Sequence, residues 1–348
     1  ATMREVAELA GVSISTVSFV VNNTKPISGE TRMRVEAAMD QLGFRRNVLA
    51  RALATQRTRI IAIAFPSEQH RLGSTALSII TSAAATAAAR GHSLVLWPVG
   101  YDDGRLEEYA RSGLVDGVLL MEVRADDSRI AVLERLSIPF GLIGRTRADE
   151  TLSFVDIDFE SAARDGIEHL HTLGHREIAL VVGETQEDTF GGYGPILRTT
   201  EAYEERMREL GLSPRVITSR HDPVGGLTAA EALVQQHPEI TGVLVLNEAA
   251  LFGFLSGITR SGYRVPDDLS ILGLATSADN VAIADPVLST IVAPGTEVGL
   301  LAVNGMIDAR ENGTTAPTRA LVRCTVQPAG STMPPSALVS SSTKGTTR

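Results

Sequence analysis

From residue 60 onward the chain repeats one pattern, a brief aliphatic run, a polar turn and then a segment whose apolar residues recur at helical spacing. The runs fall at 60–65, 94–99, 117–121, 139–143, 154–158, 178–182, 216–218, 243–246 and 270–274. Each is nearly continuous in Val, Ile and Leu, as expected of strands buried on both faces of a parallel sheet. Helical spacing occupies 75–90, 161–173, 200–210, 227–236 and 249–261. Such alternation predicts an α/β architecture with right-handed crossovers and helices on both faces of the sheet. Roughly 270 residues of this kind more often divide into two units than build one sheet. The join is expected near 158–162 and a return crossing near 290–294, so that the C-terminal segment completes both halves.

The preceding residues follow other rules. Val6, Ala7, Leu9 and Ala10 mark one face of a short helix that Gly11 stops. Ser13 can cap a second helix whose buried face is Val17, Val20 and Val21. A small residue, a turn glycine and an apolar contact at this spacing predict a helix-turn-helix. A third helix, capped at Ser28, carries Val35, Ala38, Met39 and Leu42. Ile14, Ser15, Thr16, Ser18 and Phe19 would face outward, as on a helix that enters a major groove. The alternative is a plain three-helix packing module with solvated hydroxyls.

Charge separates the readings. The 348 residues carry a net −9, which by itself argues against nucleic-acid binding over the whole surface. The first sixty residues, however, hold nine Lys or Arg against five Asp or Glu, a net of +4. The other 23 basic and 36 acidic residues leave −13 for the remainder. A basic head on an acidic body favours DNA.

At this point the residues resemble a known family. VAELAGVSISTVSFVVNN at 6–23 and LGFRRNVLARAL at 42–53 resemble the DNA-binding head and hinge of the LacI/GalR family of bacterial transcription regulators. GHREIALVVG at 174–183 and VPDDLSILG at 265–273 resemble its periplasmic-binding-protein-like effector core, and the similarity spans about residues 2–330. It implies an N-terminal all-α helix-turn-helix head plus an α/β two-lobed periplasmic-binding-protein-like core. The head would be 1–46, a hinge helix and linker 47–58, and an effector-binding and dimerisation core 59–330. Within the core, the N-lobe would take 59–160 and 292–320 and the C-lobe 161–291 and 321–330. Residues 331–348, rich in Ser, Thr, Pro and Gly, read as a disordered tail. The implied function is a repressor of carbohydrate-utilisation genes, a homodimer or tetramer on a pseudo-palindromic operator, whose affinity changes when a small effector, commonly a sugar, binds between the lobes.

By position in that resemblance, Ile14, Ser15 and Phe19 correspond to base-reading sites, and Thr2, Ser13, Thr16, Ser18 and Asn22 to phosphate-contacting or positioning sites. Phe19 departs from the arginine often found there, so bidentate reading of a guanine gives way to contact with a thymine methyl or to partial burial on the third helix. Residues 47–54 correspond to a hinge helix too short to hold alone. Within and beside it, Asn47 and Arg51 would contact DNA, Arg45 and Arg46 would neutralise phosphate, and Leu53 would wedge into the minor groove.

The ligand site is less legible. Two-lobed α/β proteins bind at the carboxyl ends of their strands, where Ser67, Glu68, Arg145, Asp158, Asn247 and Glu248 fall. The resemblance places Asn247 at an effector contact and either Arg198 or Thr199 at the sugar-binding arginine. After Gly273 the family's usual aromatic and aspartate are replaced by Leu274, Ala275 and Thr276. Either carboxylates come from elsewhere, Asp279 for example, or the effector is not a typical monosaccharide. Trp97, Tyr101, Phe190, Tyr193 and Phe252 are candidates to stack on a sugar face, with Trp97 better suited to the core.

Other classes fit poorly. His169, His171 and His175 point to different sides of a helix or serve a turn, so no metal site and no cofactor is expected. The glycines 191, 192 and 194 lack the lysine and hydroxyl of a phosphate cradle, and no GxGxxG or GxSxG follows a strand. An enzyme is therefore not expected. A transport binding protein shares the core but would carry an export signal in place of the head. A lone cysteine, Cys324, and the lack of a long apolar stretch suit a cytoplasmic chain without a membrane partner.

Overall fold

The computed structural model describes residues 1–22, 25–44, 57–66, 72–101, 103–147, 151–184, 192–312 and 317–336. They form two compact units, Ala1–Arg59 and Ile60–Arg348.

In the first unit, α1 (Met3–Ala10) starts at a reciprocal cap: Thr2 Oγ1 accepts from the Glu5 N–H at 3.3 Å and Glu5 Oε2 accepts from the Thr2 N–H at 2.6 Å. Gly11, at φ 64°, ends it, and the Val12 N–H closes back on the Ala7 carbonyl at 3.0 Å. Ser13 Oγ accepts from the Thr16 N–H at 3.1 Å and so starts α2 (Ile14–Asn22). Ser28 does the same for Thr31 at the start of α3 (Gly29–Gln41). Val6, Ala7, Val17, Val20, Val21, Val35 and Ala38 are buried together as the core of this unit. The caps read from the sequence are in place, and so are the apolar stripes except at Leu9 and Leu42, which are exposed.

The second unit holds two six-stranded sheets. Its elements are, in chain order, β1 (Ile60–Phe65), α4 (Ser74–Ala89), β2 (Ser93–Pro98), α5 (Asp103–Arg111), β3 (Gly117–Met121), α6 (Ser128–Arg135), β4 (Phe140–Ile143), β5 (Phe154–Ile157), α7 (Phe159–Thr172), β6 (Ile178–Gly183), α8 (Gly194–Glu209), β7 (Val216–Ser219), α9 (Pro223–Gln236), β8 (Gly242–Val245), α10 (Glu248–Arg260), β9 (Ser270–Thr276), α11 (Ala278–Val281), β10 (Ser289–Val292), α12 (Gly295–Asn312), β11 (Arg319–Val322) and β12 (Thr325–Gln327). The N-lobe sheet has the order β11-β5-β4-β3-β1-β2, and the C-lobe sheet β12-β10-β9-β8-β6-β7. Every pairing is parallel except β10 with β12. Seven of the nine aliphatic runs are explained by burial on both faces: α4 and α12 cover one side of the N-lobe sheet, while Leu106 of α5 and Val132 and Leu133 of α6 pack on the other. Likewise α7 and α8 lie opposite α9 and α10 across the C-lobe sheet. The runs that form the edge strands β2 and β7 depart from that expectation, because an edge strand has a neighbour on one side only and most of their residues stay half-buried or exposed.

The chain crosses between lobes after β5, between β10 and α12, and between β11 and β12. The first two crossings fall where the sequence reading puts them. The third corrects it: Leu321 and Val322, expected in the C-lobe, pair with Asp156 and Ile157 of the N-lobe. A second correction concerns the tail. Ser331 is fully buried, its Oγ donating to the Ile271 carbonyl at 2.6 Å and accepting from the Ser289 N–H at 2.8 Å, and Thr332 and Met333 bond to His169 and His175. A polar composition reads as tail, yet these hydroxyls satisfy backbone groups at the sheet margin. The rest of that segment, 337–348, lies outside the described residues.

The helix α12 was not among the expected helical segments, because Gly295, Gly299 and Gly305 weaken its pattern. Its glycines are used for close approach: a Cβ on Gly299 would lie 2.3 Å from the Ile79 carbonyl oxygen of α4.

Candidate functional site

Two surfaces carry chemistry. On the first unit, Ser13, Ile14 and Ser15 are exposed at the start of α2, while Thr16, Ser18 and Phe19 are half-buried. The hydroxyls form a small cluster, with Ser13 Oγ 2.7 Å from Ser15 Oγ and 2.8 Å from Thr16 Oγ1. The Lys25 ammonium lies 4.8 Å from the centre of the Phe19 ring, bringing a positive charge onto the same face. Thr2 is exposed but serves as the cap of α1. The side chain of Asn22 and all of Asn47, Arg51 and Leu53, with Arg45 and Arg46, lie outside the described residues.

In the second unit a cavity of 470 Å³ opens at the carboxyl ends of both sheets. Met121, Ile143 and Ile157 end strands of the N-lobe and Gly183, Leu246 and Ala275 lie at strand ends of the C-lobe, and all six line it. The volume is that of a small-molecule pocket. Its polar side chains are Thr75, Glu122, Asp156, Tyr193, His221, Asp222, Asn247 and Glu248.

Of the residues expected here, Asn247 lines the cavity; it is buried, with its amide N–H groups committed to Ser219 Oγ at 2.9 Å and the Arg220 carbonyl at 3.0 Å. Arg198 and Arg145 are not on the wall but behind it. Arg198 Nη2 is 2.7 Å from Asp156 Oδ2 and its Nη1 donates to the Arg145 carbonyl at 3.1 Å, while Arg145 pairs with Asp156 at 3.4 Å and with Glu160. Thr199, the alternative to Arg198, is buried on α8. Asp158 is spent as the cap of α7, accepting from the Ser161 N–H at 2.9 Å and from its hydroxyl at 2.7 Å. Ser67, Glu68 and the side chain of Asp279 lie outside the described residues. Tyr193 lines the cavity, whereas Trp97 is buried against Tyr109 and Tyr101 lies beneath the wall.

No carboxylate follows Gly273, and the carboxylates that line the cavity are Glu122, Asp156, Asp222 and Glu248. Glu122 and Asp222 follow strand runs directly or nearly so, and the rule that selected Asn247 would have selected them. Asp156 sits inside a run, where only burial reveals its partner. That burial pushes Asp156 up to about 6 against the opposing pull of Arg198 and Arg145, and raises Glu122 and Tyr193, which hydrogen-bond to each other. Burial also lowers His221.

Several of these contacts join the lobes. Glu248 accepts from the Ser74 N–H at 3.1 Å and from the Ser74 hydroxyl; Thr75 Oγ1 donates to the Ala275 carbonyl at 3.3 Å; and the Ala125 N–H donates to the Gly192 carbonyl at 2.7 Å. Arg198 with Asp156 is a further link.

Residues 2–47 match the family described as bacterial regulatory proteins, lacI family, and residues 167–332 match the periplasmic binding protein-like domain. The HTH-type transcriptional regulator DegA of Bacillus subtilis (strain 168) is 30% identical over 311 residues, covering 86% of this chain and 88% of that protein. The chain belongs to the LacI family. As a LacI-family protein it is a DNA-binding transcription regulator, and the helix-turn-helix is its DNA-binding element. Among solved structures, a transcriptional regulator CelR–cellobiose complex is 25% identical, with a TM-score of 0.71 over 95% of this chain and 99% of that one. The lac repressor dimer bound to operator and the anti-inducer ONPF, 24% identical, shares the fold at a TM-score of 0.81 over 96% and 99% of the two chains.

Proposed function

We propose that this regulator is a repressor of carbohydrate-utilisation genes that binds a pseudo-palindromic operator as a homodimer and releases or grips it according to a sugar held between the lobes. The observation that carries the reading is the 470 Å³ cavity walled by both lobes. A ligand there touches residues on either side, and so biases the angle between them. Its wall of carboxylates, an amide and a tyrosine suits hydroxyl groups. The CelR–cellobiose complex supports a sugar, and the operator-bound lac repressor dimer supports a two-fold arrangement on DNA.

In this reading Ile14, Ser15 and Phe19 meet base edges, while Thr2, Ser13, Thr16, Ser18 and Asn22 position the helix on phosphates. Residues 47–58 order as a hinge between the two half-sites, with Asn47 and Arg51 on the backbone and Leu53 at the central step. Coupling of this sort amounts to about 1–3 kcal/mol, or roughly 5- to 150-fold in affinity.

The test begins with an operator selected by the full chain from random-sequence DNA. A thermal-shift screen of mono- and oligosaccharides, cellobiose included, then identifies effectors, and operator binding is measured with and without them. A sugar that stabilises the chain and changes operator affinity supports the reading. A core that binds sugars with no effect on operator affinity, or that hydrolyses them, overturns it. Sedimentation of the free chain separates dimer from tetramer.

A further inference from the structure

We propose that the cavity selects a sugar carrying a protonated amine, with Glu122 as the partner of the ammonium group. The proposal deepens the functional reading and rests on it for the location of the ligand.

The first support is the inventory of hydrogen-bonding groups. Among the described residues that line the cavity, four are carboxylates, and none is lysine or arginine. Ionised carboxylates only accept. Asn247 has committed its N–H groups to Ser219 and Arg220, which leaves its carbonyl oxygen, and Thr75 Oγ1 donates to Ala275. The arginines that the sequence reading put here are held behind Asp156. Tyr193 hydrogen-bonds to Glu122, and His221 Nε2 lies 3.4 Å from the Glu184 carbonyl. The described wall therefore receives hydrogens more readily than it gives them, and a ligand that supplies them suits it.

The second support is how Glu122 is held. It follows β3 with a backbone φ of 55°, a conformation that a side chain other than glycine's rarely adopts. Its carbonyl accepts from Tyr101 Oη at 2.8 Å and from Arg129 Nη2 at 3.1 Å. Arg129 is fully buried, and its charge is matched by Asp127, with Nη2 to Oδ2 at 2.7 Å and Nε to Oδ1 at 2.9 Å. The Arg124 guanidinium stacks 3.5 Å from the centre of the Tyr101 ring. This buried framework orients the backbone of Glu122, while its carboxylate hydrogen-bonds to the neutral Tyr193 hydroxyl. Burial raises the Glu122 pKa against the opposing pulls of the Tyr193 hydroxyl and of the Arg129 charge behind its backbone. A ligand ammonium would add a positive charge facing the carboxylate from the cavity, in a site where water no longer screens it.

The same electrostatics reject an anion. A sugar phosphate or sugar acid would meet Glu122, Asp156, Asp222 and Glu248 from both lobes. A neutral polyol satisfies the acceptors but brings no positive charge to Glu122.

The probes share one linkage: cellobiose and the diacetylated disaccharide of glucosamine, both neutral, the free diamine of that disaccharide, which is cationic, and cellobionate, which is anionic. Binding to the full chain is measured by calorimetry and thermal shift. The diamine is expected to bind at least about tenfold more tightly than cellobiose and the diacetyl form, with cellobionate weakest. Glu122→Gln is expected to remove the preference for the amine, and Glu122→Asp to retain it in part. Equal binding of the diamine and cellobiose, binding of none of the four, or a preference that survives Glu122→Gln overturns the proposal. Should neutral sugars bind and alter operator affinity without an amine preference, this inference fails and the functional reading stands. Should the diamine bind through Glu122 without altering operator affinity, the functional reading fails and this inference stands.

Discussion

Glu248 Oε2 lies 3.1 Å from the backbone nitrogen of Ser74, so a carboxylate at the start of α10 in one lobe accepts a free N–H at the start of α4 in the other. Gly73, the cap residue of α4, offers no side-chain cap, and a Cβ on it would lie 2.6 Å from the same oxygen. The C-lobe thus performs a capping function for an N-lobe helix, with the helix dipole favouring the charge.

Glu248→Ala is expected to lower core stability by about 1–3 kcal/mol, since it leaves the Ser74 N–H without that acceptor. Glu248→Gln should lose less, because an amide oxygen still accepts. Denaturant unfolding of the full chain measures both, and an unchanged midpoint for the alanine variant would count against the contact.

Asp156 yields a pH dependence. Its pKa in the folded chain, about 6, stands above the ordinary aspartate value of about 4, so in that interval the folded state binds the extra proton. Its contribution to stability is full below about pH 4 and is lost as pH rises through about 6. Relative to Asp156→Asn, the wild type should lose up to about 3 kcal/mol over that range. A difference that is flat with pH, or that rises, contradicts this. Arg198→Met should cost several kcal/mol near neutral pH, of the order of 3–5, by leaving the buried carboxylate with fewer compensating charges.

Ser331 is expected to be structural. Ser331→Ala removes hydrogen bonds to the Ile271 carbonyl and from the Ser289 N–H, at an expected cost of about 1–3 kcal/mol. Truncation after Gly330 should cost more, because Thr332 and Met333 also leave His169 and His175. Thermal melts of the two variants check the order.

The crossing of α9 and α10 depends on glycine. A Cβ on Gly253 would lie 1.8 Å from the Pro223 carbonyl oxygen, and one on Gly226 2.0 Å from that of Ala250. Gly253→Ala must force the helices apart, with an expected loss of more than about 3 kcal/mol or failure to fold. Soluble yield and melting temperature report it.

Burial pushes the Cys324 thiol up to about 12. The native chain should therefore resist thiol reagents at pH 8 and react promptly once unfolded, since the thiolate is the reactive form. Comparable rates with and without denaturant would contradict that placement.

Much of the architecture was legible because its determinants are local. Nine short aliphatic runs mark strands, seven of them covered on both faces, and Thr2, Ser13 and Ser28 mark helix starts through atoms three residues away. What was not legible depends on distant partners. The strands β10, β11 and β12 have three or four residues each, and β12 is exposed throughout, so pairing with the rest of the sheet is what defines them. Asp158 and Glu122 both follow strand runs, yet one caps the next helix and the other faces the cavity.

By itself, then, the sequence determined a helix-turn-helix head, two α/β lobes and the family they belong to, because periodicity, capping and charge segregation are written over a few turns of chain. Tertiary structure alone decided which carboxylates meet. Three crossings between the lobes bring Glu122, Asp156, Asp222 and Glu248 to one cavity and draw Arg145 and Arg198 behind its wall, through a topology that no local pattern encodes.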